Sequence, residues 1–110
     1  DLLVAKGAPV TIEDNNGNTP LHIAAAMGRV QVIEDLLDKG LKVDSINDEG
    51  MTPLIMAAKN APGCSAIEIL VKKGANVKIR DLTGKSALAH AKMVNNKEAE
   101  EFLKKNGCIE

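Results

Sequence analysis

Glycine recurs in this chain at a nearly constant interval, in two parallel series. Successive glycines of the first series are 33, 34 and 33 residues apart, and those of the second are 33 and 34 apart. The first series comprises Gly7, Gly40, Gly74 and Gly107, and the second comprises Gly17, Gly50 and Gly84. A period of this length is typical of one supersecondary unit copied along an axis. The chain is therefore predicted to be a stack of similar units.

Each unit carries the signals for two short helices. Thr19 and Thr52 each precede a proline, and Ser86 takes the same place in the last unit. Hydroxyl side chains cap helices, and proline suits the first helical position. Apolar residues follow at helical spacing, as in 21–25, and a second apolar stripe precedes the next glycine. Helices of about eight or nine residues are marginal alone in water, so stability is expected to come from stacking.

The middle unit contains one extra residue, in "KNAPGCS", so its interhelical turn is expected to differ locally. Its second helix is predicted to start from Ser65, with Glu68 completing a capping box. Cys64 follows Pro62 and Gly63 in this turn, and its thiol is predicted to be accessible.

Extended stretches rich in turn-forming residues separate the helix pairs, and Val10, Val43 and Val77 occupy the same place in each. We expect them to form hairpin-like loops projecting from the stack. Their ends are called here tip one (residues 15–17, Asn-Asn-Gly), tip two (residues 48–50, Asp-Glu-Gly) and tip three (residues 82–84, Leu-Thr-Gly).

These segments resemble the ankyrin repeat, whose signature joins a glycine turn, Thr-Pro-Leu-His, paired alanines, a Leu-Leu pair and Gly-Ala. "GNTPLHIAAAMG…IEDLLDKG" is a close match, and "GMTPLIMAA…IEILVKKGANV" is a good one. The resemblance covers nearly the whole chain. It implies an all-α solenoid of stacked helix-turn-helix units with hairpin-like loops.

The resemblance divides the chain into a remnant of a preceding repeat (1–13), a repeat (14–46), a repeat with a one-residue insertion (47–80) and a C-terminal capping repeat (81–110). In the last repeat Glu100 and Lys104 replace apolar residues, as a water-facing cap requires. Leu2, Leu3 and Val4 look like the stripe of a truncated helix, so further repeats are expected upstream.

Charge and composition exclude several function classes. With 14 Lys and Arg against 15 Asp and Glu, the chain has no electrostatic footprint for nucleic acid. No apolar run of about 18 residues predicts a membrane span. No phosphate-binding glycine motif and no metal-ligand spacing occurs, so no cofactor and no metal are predicted. Cys64 and Cys108 lack CxxC spacing, which favours free thiols in a reducing, cytoplasmic location.

The residues most suggestive of catalysis have structural interpretations. In ankyrin repeats the histidine equivalent to His22 bonds the capping threonine and the backbone of the next loop. His90 is expected to be packed or partly exposed. No basic residue directly flanks Cys64 to activate its thiol. The chain is therefore predicted not to be an enzyme.

The resemblance implies a monomeric scaffold that binds another protein through its concave surface and loop tips. An alternative is an ankyrin module that docks on a catalytic or channel domain of a longer chain. The partner-binding positions carried over from the family come from the tips, the residues leading into them and the first helices. They are Glu13, Asn15, Asn16, Asn18, Ala26, Met27, Ile46, Asp48, Glu49, Met51, Lys59, Asn60, Arg80, Leu82, Thr83, Lys85, Met93 and Val94.

Overall fold

The computed structural model describes residues 16–61 and 63–107, which form six helices. They are α1 (Pro20–Met27), α2 (Val30–Asp38), α3 (Pro53–Asn60), α4 (Ser65–Lys72), α5 (Ala87–Met93) and α6 (Lys97–Lys105). No strand occurs among the described residues. The first helices α1, α3 and α5 pack side by side in a row, and α2 packs on α4. The predicted all-α stack of helix pairs is confirmed.

Hydroxyl caps begin the first helix of every unit. The side chains of Thr19, Thr52 and Ser86 each accept a hydrogen bond from the backbone N–H three residues further on, at 3.2–3.3 Å. Pro20 and Pro53 occupy the start of α1 and α3. The N–H that proline lacks has no partner inside a helix at that position, so these prolines cost nothing there. The caps predicted from the sequence are confirmed.

Helix α4 begins at Ser65 as predicted, but its N-terminal cap differs from the prediction. Ser65 is the first residue of the helix, and no side chain caps the α4 N-terminus. Because a cap residue must lie outside helical geometry, the Ser65 hydroxyl cannot take that role, and the predicted capping box with Glu68 is wrong. The turn is held from the next unit instead, where Asn96 Nδ2 donates to the carbonyl oxygen of Gly63 at 2.7 Å.

Small side chains lie where the first helices meet, and the second helices contribute larger aliphatic side chains to the core. The alanines at the helix contacts are at most 4% exposed; they are Ala24, Ala25, Ala57, Ala58 and Ala91. The second helices bury fully the side chains of Ile33, Ile67, Leu70 and Leu103. Full burial of such a side chain stabilises by about 1.5–3 kcal/mol. The distance between packed helices depends on the contacting side chains, so alanine permits the close row.

Backbone hydrogen bonds join the tips to one another. The N–H of Asp48 donates to the carbonyl of Asn16, and the N–H of Leu82 donates to the carbonyl of Glu49, each at 2.9 Å. Within tip two a further bond, from the Asn47 N–H to the Met51 carbonyl at 3.0 Å, closes the loop. Tip two is therefore a closed turn, and it is hydrogen-bonded to residues of both neighbouring tips.

His22 links the first unit to the second. Its Nδ1 accepts a hydrogen bond from the backbone N–H of Thr19 at 3.1 Å and lies 2.9 Å from the Thr19 hydroxyl. Its Nε2 lies 2.7 Å from the Met51 carbonyl, which only accepts, so this nitrogen carries the proton. The ring is fully buried. The structural role implied by the ankyrin resemblance is confirmed.

The second helix of the last unit presents polar side chains to water. Lys104 is exposed and Glu100 is half-buried, whereas Leu103 is fully buried. This arrangement is what a capping repeat requires, and the repeat boundaries themselves stay predictions. The expected remnant at 1–13, with Leu2, Leu3 and Val4, lies outside the described residues.

No helix within residues 16–61 and 63–107 combines the length and the apolar character that crossing a bilayer requires.

Candidate functional site

A groove of about 550 Å³ lies between the tips and the first helices of the second and third units. Tips two and three form one side, and the C-terminal ends of α3 and α5 form the other. Its lining residues are Asp48, Glu49, Met51, Lys59, Asn60, Asp81, Leu82, Thr83, Lys85, His90, Met93 and Val94. The structure thus brings more than half of the predicted partner-binding residues together around one concavity.

Stacking fixes the width of this groove. Leu82 is held against tip two by its backbone bond to Glu49. Gly50 lies at this contact with φ +76°, and a Cβ there would be 3.0 Å from the Leu82 N and Cγ atoms. Glycine is therefore required at Gly50 both by its left-handed backbone and by the close approach of the next tip.

The groove is lined by unusually exposed apolar side chains. Leu82 is 78% exposed and Met93 is 63% exposed, more than any other large apolar side chain among the described residues. Val94 beside Met93 is also exposed.

Met51 differs, because only 5% of it is exposed at the base of the groove. Met51 was predicted to contact a partner, and the burial of its side chain leaves little of it exposed for such a contact. Its backbone carbonyl accepts hydrogen bonds from the Asn47 N–H and from His22 Nε2.

Charged groups of both signs line the same groove. Asp48 and Glu49 are exposed on tip two, Lys59 is exposed on α3, and Lys85 is half-buried beside tip three. In the described part of the chain, no ion pair involves any of these four side chains. Their charges are therefore available to a bound molecule.

Sequence reasoning missed the buried pair formed by Asp81 and His90. The Oδ1 atom of Asp81 accepts bonds from the Thr83 N–H and hydroxyl and from the Lys85 N–H, at 2.9, 2.6 and 3.0 Å. Its Oδ2 atom accepts a bond from His90 Nε2 at 2.8 Å. The pair therefore fastens tip three to α5.

These bonds decide the ionisation of Asp81. Burial alone raises the pKa of this carboxyl, but the bonds from the Thr83 and His90 side chains and from two backbone N–H groups outweigh it. The net effect holds the pKa of Asp81 well below its ordinary value. The 34-residue period was a usable signal for this pair, because it makes Asp81 equivalent to Asn47 and His90 equivalent to Met56 in the preceding repeat. Asn47 uses its own side-chain oxygen in the same way, accepting from the N–H groups of Glu49 and Met51.

Replacing Asp81 with asparagine is expected to lower the free energy of unfolding at neutral pH by about 1–3 kcal/mol, because a charge-assisted bond to His90 is lost. The amide oxygen still accepts the turn bonds, as Asn47 does in tip two. Because the pKa of Asp81 is lowered in the folded state, its carboxylate stabilises the folded protein at pH values above the ordinary pKa of 3.8. This contribution is lost as the pH falls below 3.8 and through the folded-state pKa.

Urea unfolding from neutral pH down to about pH 3 measures this effect, since carboxylates other than Asp81 titrate alike in both proteins. The Asp81→Asn variant should lose less stability in acid than the wild type. Identical pH profiles for the two proteins would contradict the assigned role.

Some predicted partner-binding residues do not line the groove. Asn16, Asn18, Ile46 and Arg80 belong to the loops, and Ala26 and Met27 lie on α1. Ile46 and Met27 are exposed, whereas Asn18 Oδ1 accepts a bond from Asn47 Nδ2 at 2.8 Å. Glu13 and Asn15 lie outside the described residues.

The Cys64 thiol offers no nucleophile. It is free and only 4% exposed, so the predicted accessibility is wrong. The side chain faces α6, where its sulfur lies 3.9 Å from the Glu98 carbonyl. Burial, followed by the charges of Glu68 and Glu98, raises its pKa to about 11. Among the described residues no group of three His, Cys, Asp or Glu side chains could hold a metal ion, and Cys108 lies outside them.

Comparison with known proteins is consistent with this architecture. A family model described as "Ankyrin repeats (3 copies)" matches residues 1–81. The chain is 40% identical over 107 residues to "Neurogenic locus notch homolog protein 1" of Cricetulus griseus and 39% identical to that of Homo sapiens. It is also 40% identical to "Neurogenic locus notch homolog protein 2" of Homo sapiens. Each match covers 96% of this chain and 4% of the relative. The period, the caps, the stacked helix pairs and these matches show that the chain belongs to the ankyrin-repeat family.

Proposed function

We propose that this chain is a non-catalytic scaffold that binds a partner protein through the groove and the neighbouring tips. Ankyrin repeats are generally protein-interaction modules. The observation that carries the proposal is the coincidence, in one concavity, of the positions that the family uses for binding with Leu82 and Met93, the two most exposed large apolar side chains described. Exposed apolar surface rimmed by polar residues is typical of interaction sites and binding grooves.

The size of the surface suits a protein partner. Specific interfaces bury about 800 Å² on each side, which tips and first helices of stacked units can supply together. The net charge of −1 and the mixed charges of the groove do not favour nucleic acid. We infer a monomer, and the free thiol of Cys64 supports a reducing, cytoplasmic location.

A second candidate function is docking on another domain of the same chain. In the matched Notch homologues the similar segment makes up 4% of the protein, so these repeats form a small part of a much longer chain. In such an arrangement the groove binds a segment of its own polypeptide and regulates the domain that carries it.

Photo-crosslinking tests both candidates. We expect Met93→p-benzoylphenylalanine in the full parent protein to form a covalent adduct in its host cells. The same replacement at Val32, which is 41% exposed on α2, is the matched control and should form none. An adduct to another protein supports the scaffold, whereas an adduct to a distant peptide of the same chain supports intramolecular docking. Equal crosslinking at both positions, or crosslinking at position 32 alone, would refute the groove as the binding surface.

A further inference from the structure

Resting on the proposed function, we propose the chemistry of the segment that the groove receives. It is an extended peptide of the partner protein that carries a bulky apolar residue with a lysine or arginine within two positions of it. The apolar side chain lies on Leu82, Met93 and Val94. The basic side chain lies on the carboxylates of Asp48 and Glu49.

The apolar half of this interaction follows from size and exposure. The volume of about 550 Å³ lies within the range of about 300–1,000 Å³ that is usual for ligand sites, and it accommodates one or two large side chains but no folded element. Leu82, Met93 and Val94 contribute apolar surface from two elements, tip three and the end of α5. Methionine adapts its shape to different apolar partners, which suits a side-chain pocket open to solvent.

The acidic half follows from charges that the fold does not use. Tip two is held by its backbone and by Asn47, whose oxygen accepts from the N–H groups of Glu49 and Met51 at 2.9 and 3.0 Å. Neither the Asp48 nor the Glu49 carboxylate has a hydrogen-bond or ion-pair partner among the described residues. At the equivalent positions tip three carries leucine and threonine, so the turn does not require two acids.

The lysines of the groove are also unpaired among the described residues, but they do not lie together as the two acids do. Lys59 lies in the last turn of α3, where the helix dipole favours a cation. Lys85 is half-buried and stands on a different element from Lys59. Asp48 and Glu49 are consecutive on tip two and both line the groove, so each adds negative potential to the same side of it. This negative potential repels an acidic ligand and attracts a basic one.

The hydrogen-bonded tips set the spacing within the peptide. Because Leu82 N–H bonds to the Glu49 carbonyl at 2.9 Å, the acidic and apolar contacts lie on adjacent, paired backbones. Paired backbones lie about 4.8 Å apart, and an extended peptide advances about 3.3 Å per residue. The basic residue therefore falls one or two positions from the apolar one.

Selection from a random linear peptide library displayed on phage tests this inference. We expect the wild-type chain to enrich peptides that combine a large apolar residue with a neighbouring lysine or arginine. A synthetic copy of such a peptide should bind about 2- to 30-fold more weakly to the Asp48→Asn, Glu49→Gln variant, because each of the two exposed ion pairs contributes about 0.2–1 kcal/mol. The loss should shrink as salt is added.

Two control variants separate the possible outcomes. Asp38→Asn with Glu101→Gln removes the same charge from exposed positions outside the groove and should leave affinity unchanged. Met93→Asp should abolish binding of any peptide seated in the groove. Peptides that depend on Met93 but lack basic residues, or are acidic, overturn this inference and leave the proposed function standing. If no selected peptide depends on Met93, the groove itself is refuted as a peptide site.

Discussion

Replacing Leu70 with alanine is expected to lower the free energy of unfolding by about 2–5 kcal/mol, because the lost methyl groups leave a cavity. Leu70 lies on α4 of the middle unit with no exposed surface. It belongs to the core that neighbouring units build together, so collapse around the cavity is restrained from both sides. Urea denaturation followed by circular dichroism measures the change.

Leu82→Ala is the matched control, because it removes the same atoms from a side chain that is 78% exposed. Exposed substitutions of this kind usually change stability by less than about 0.5 kcal/mol. Its effect should appear in binding instead, as weaker association with a groove-bound partner or peptide. If the two variants were equally stable, the assignment of Leu70 to the core and Leu82 to the binding surface would be wrong.

Gly50→Ala is expected to be the second strongly destabilising change. An alanine at φ +76° costs about 1–2 kcal/mol for the left-handed backbone alone. Its Cβ would also lie 3.0 Å from the backbone nitrogen of Leu82, which cannot move without breaking its bond to Glu49. Tip three must then shift, so both the free energy of unfolding and partner affinity should fall.

Gly84→Ala separates these two contributions. Gly84 has φ +83°, nearly the same backbone conformation, but no atom lies within 4 Å of a Cβ placed there. The variant should therefore show the backbone cost alone and keep partner affinity. The difference between the two variants, measured by denaturation and by peptide titration, reports the contact between tips two and three. Equal losses would mean that this contact contributes nothing.

The architecture was predictable because the repeat period, the helix caps and the apolar pattern of the sequence all agree with it. The period of 33 or 34 residues, the caps at Thr19, Thr52 and Ser86, and the apolar stripes all favour the same stacked helix pairs. His22 was predictable for the same reason, since its distance from Thr19 places the ring beside the hydroxyl it bonds.

Local features of the middle unit were not predictable from this pattern. No side chain caps α4, and the Cys64 thiol is buried, which the residue types in this turn do not reveal. Met51 was predicted to be a partner-binding residue from its place after a tip, but only 5% of it is exposed. In the last unit, the pair of Asp81 and His90 was missed because the two residues are nine apart, outside the short-range spacing from which helical contacts are inferred. Comparison of Asp81 with Asn47, one period earlier, was the available signal.

The sequence predicted which positions could contact a partner, but it did not predict the groove that some of them form. Family equivalence marks tips and first helices in all units alike, including Met27 and Ile46, whereas the described groove is confined to the second and third units. What distinguishes these units is side-chain detail, such as the projection of Leu82 and the fastening of tip three to α5. Such details depend on packing between units, which a single sequence does not contain.

The groove exists only if neighbouring units hold each other in place. Native-state hydrogen exchange on the wild type and the Leu70→Ala variant tests it most directly. In a collective stack, a cavity in α4 lowers the protection of the amides of Ala25 in α1 and Ala91 in α5 together with those of α3. If the loss of protection were confined to α3 and α4, the units would be folding independently and the account would be contradicted.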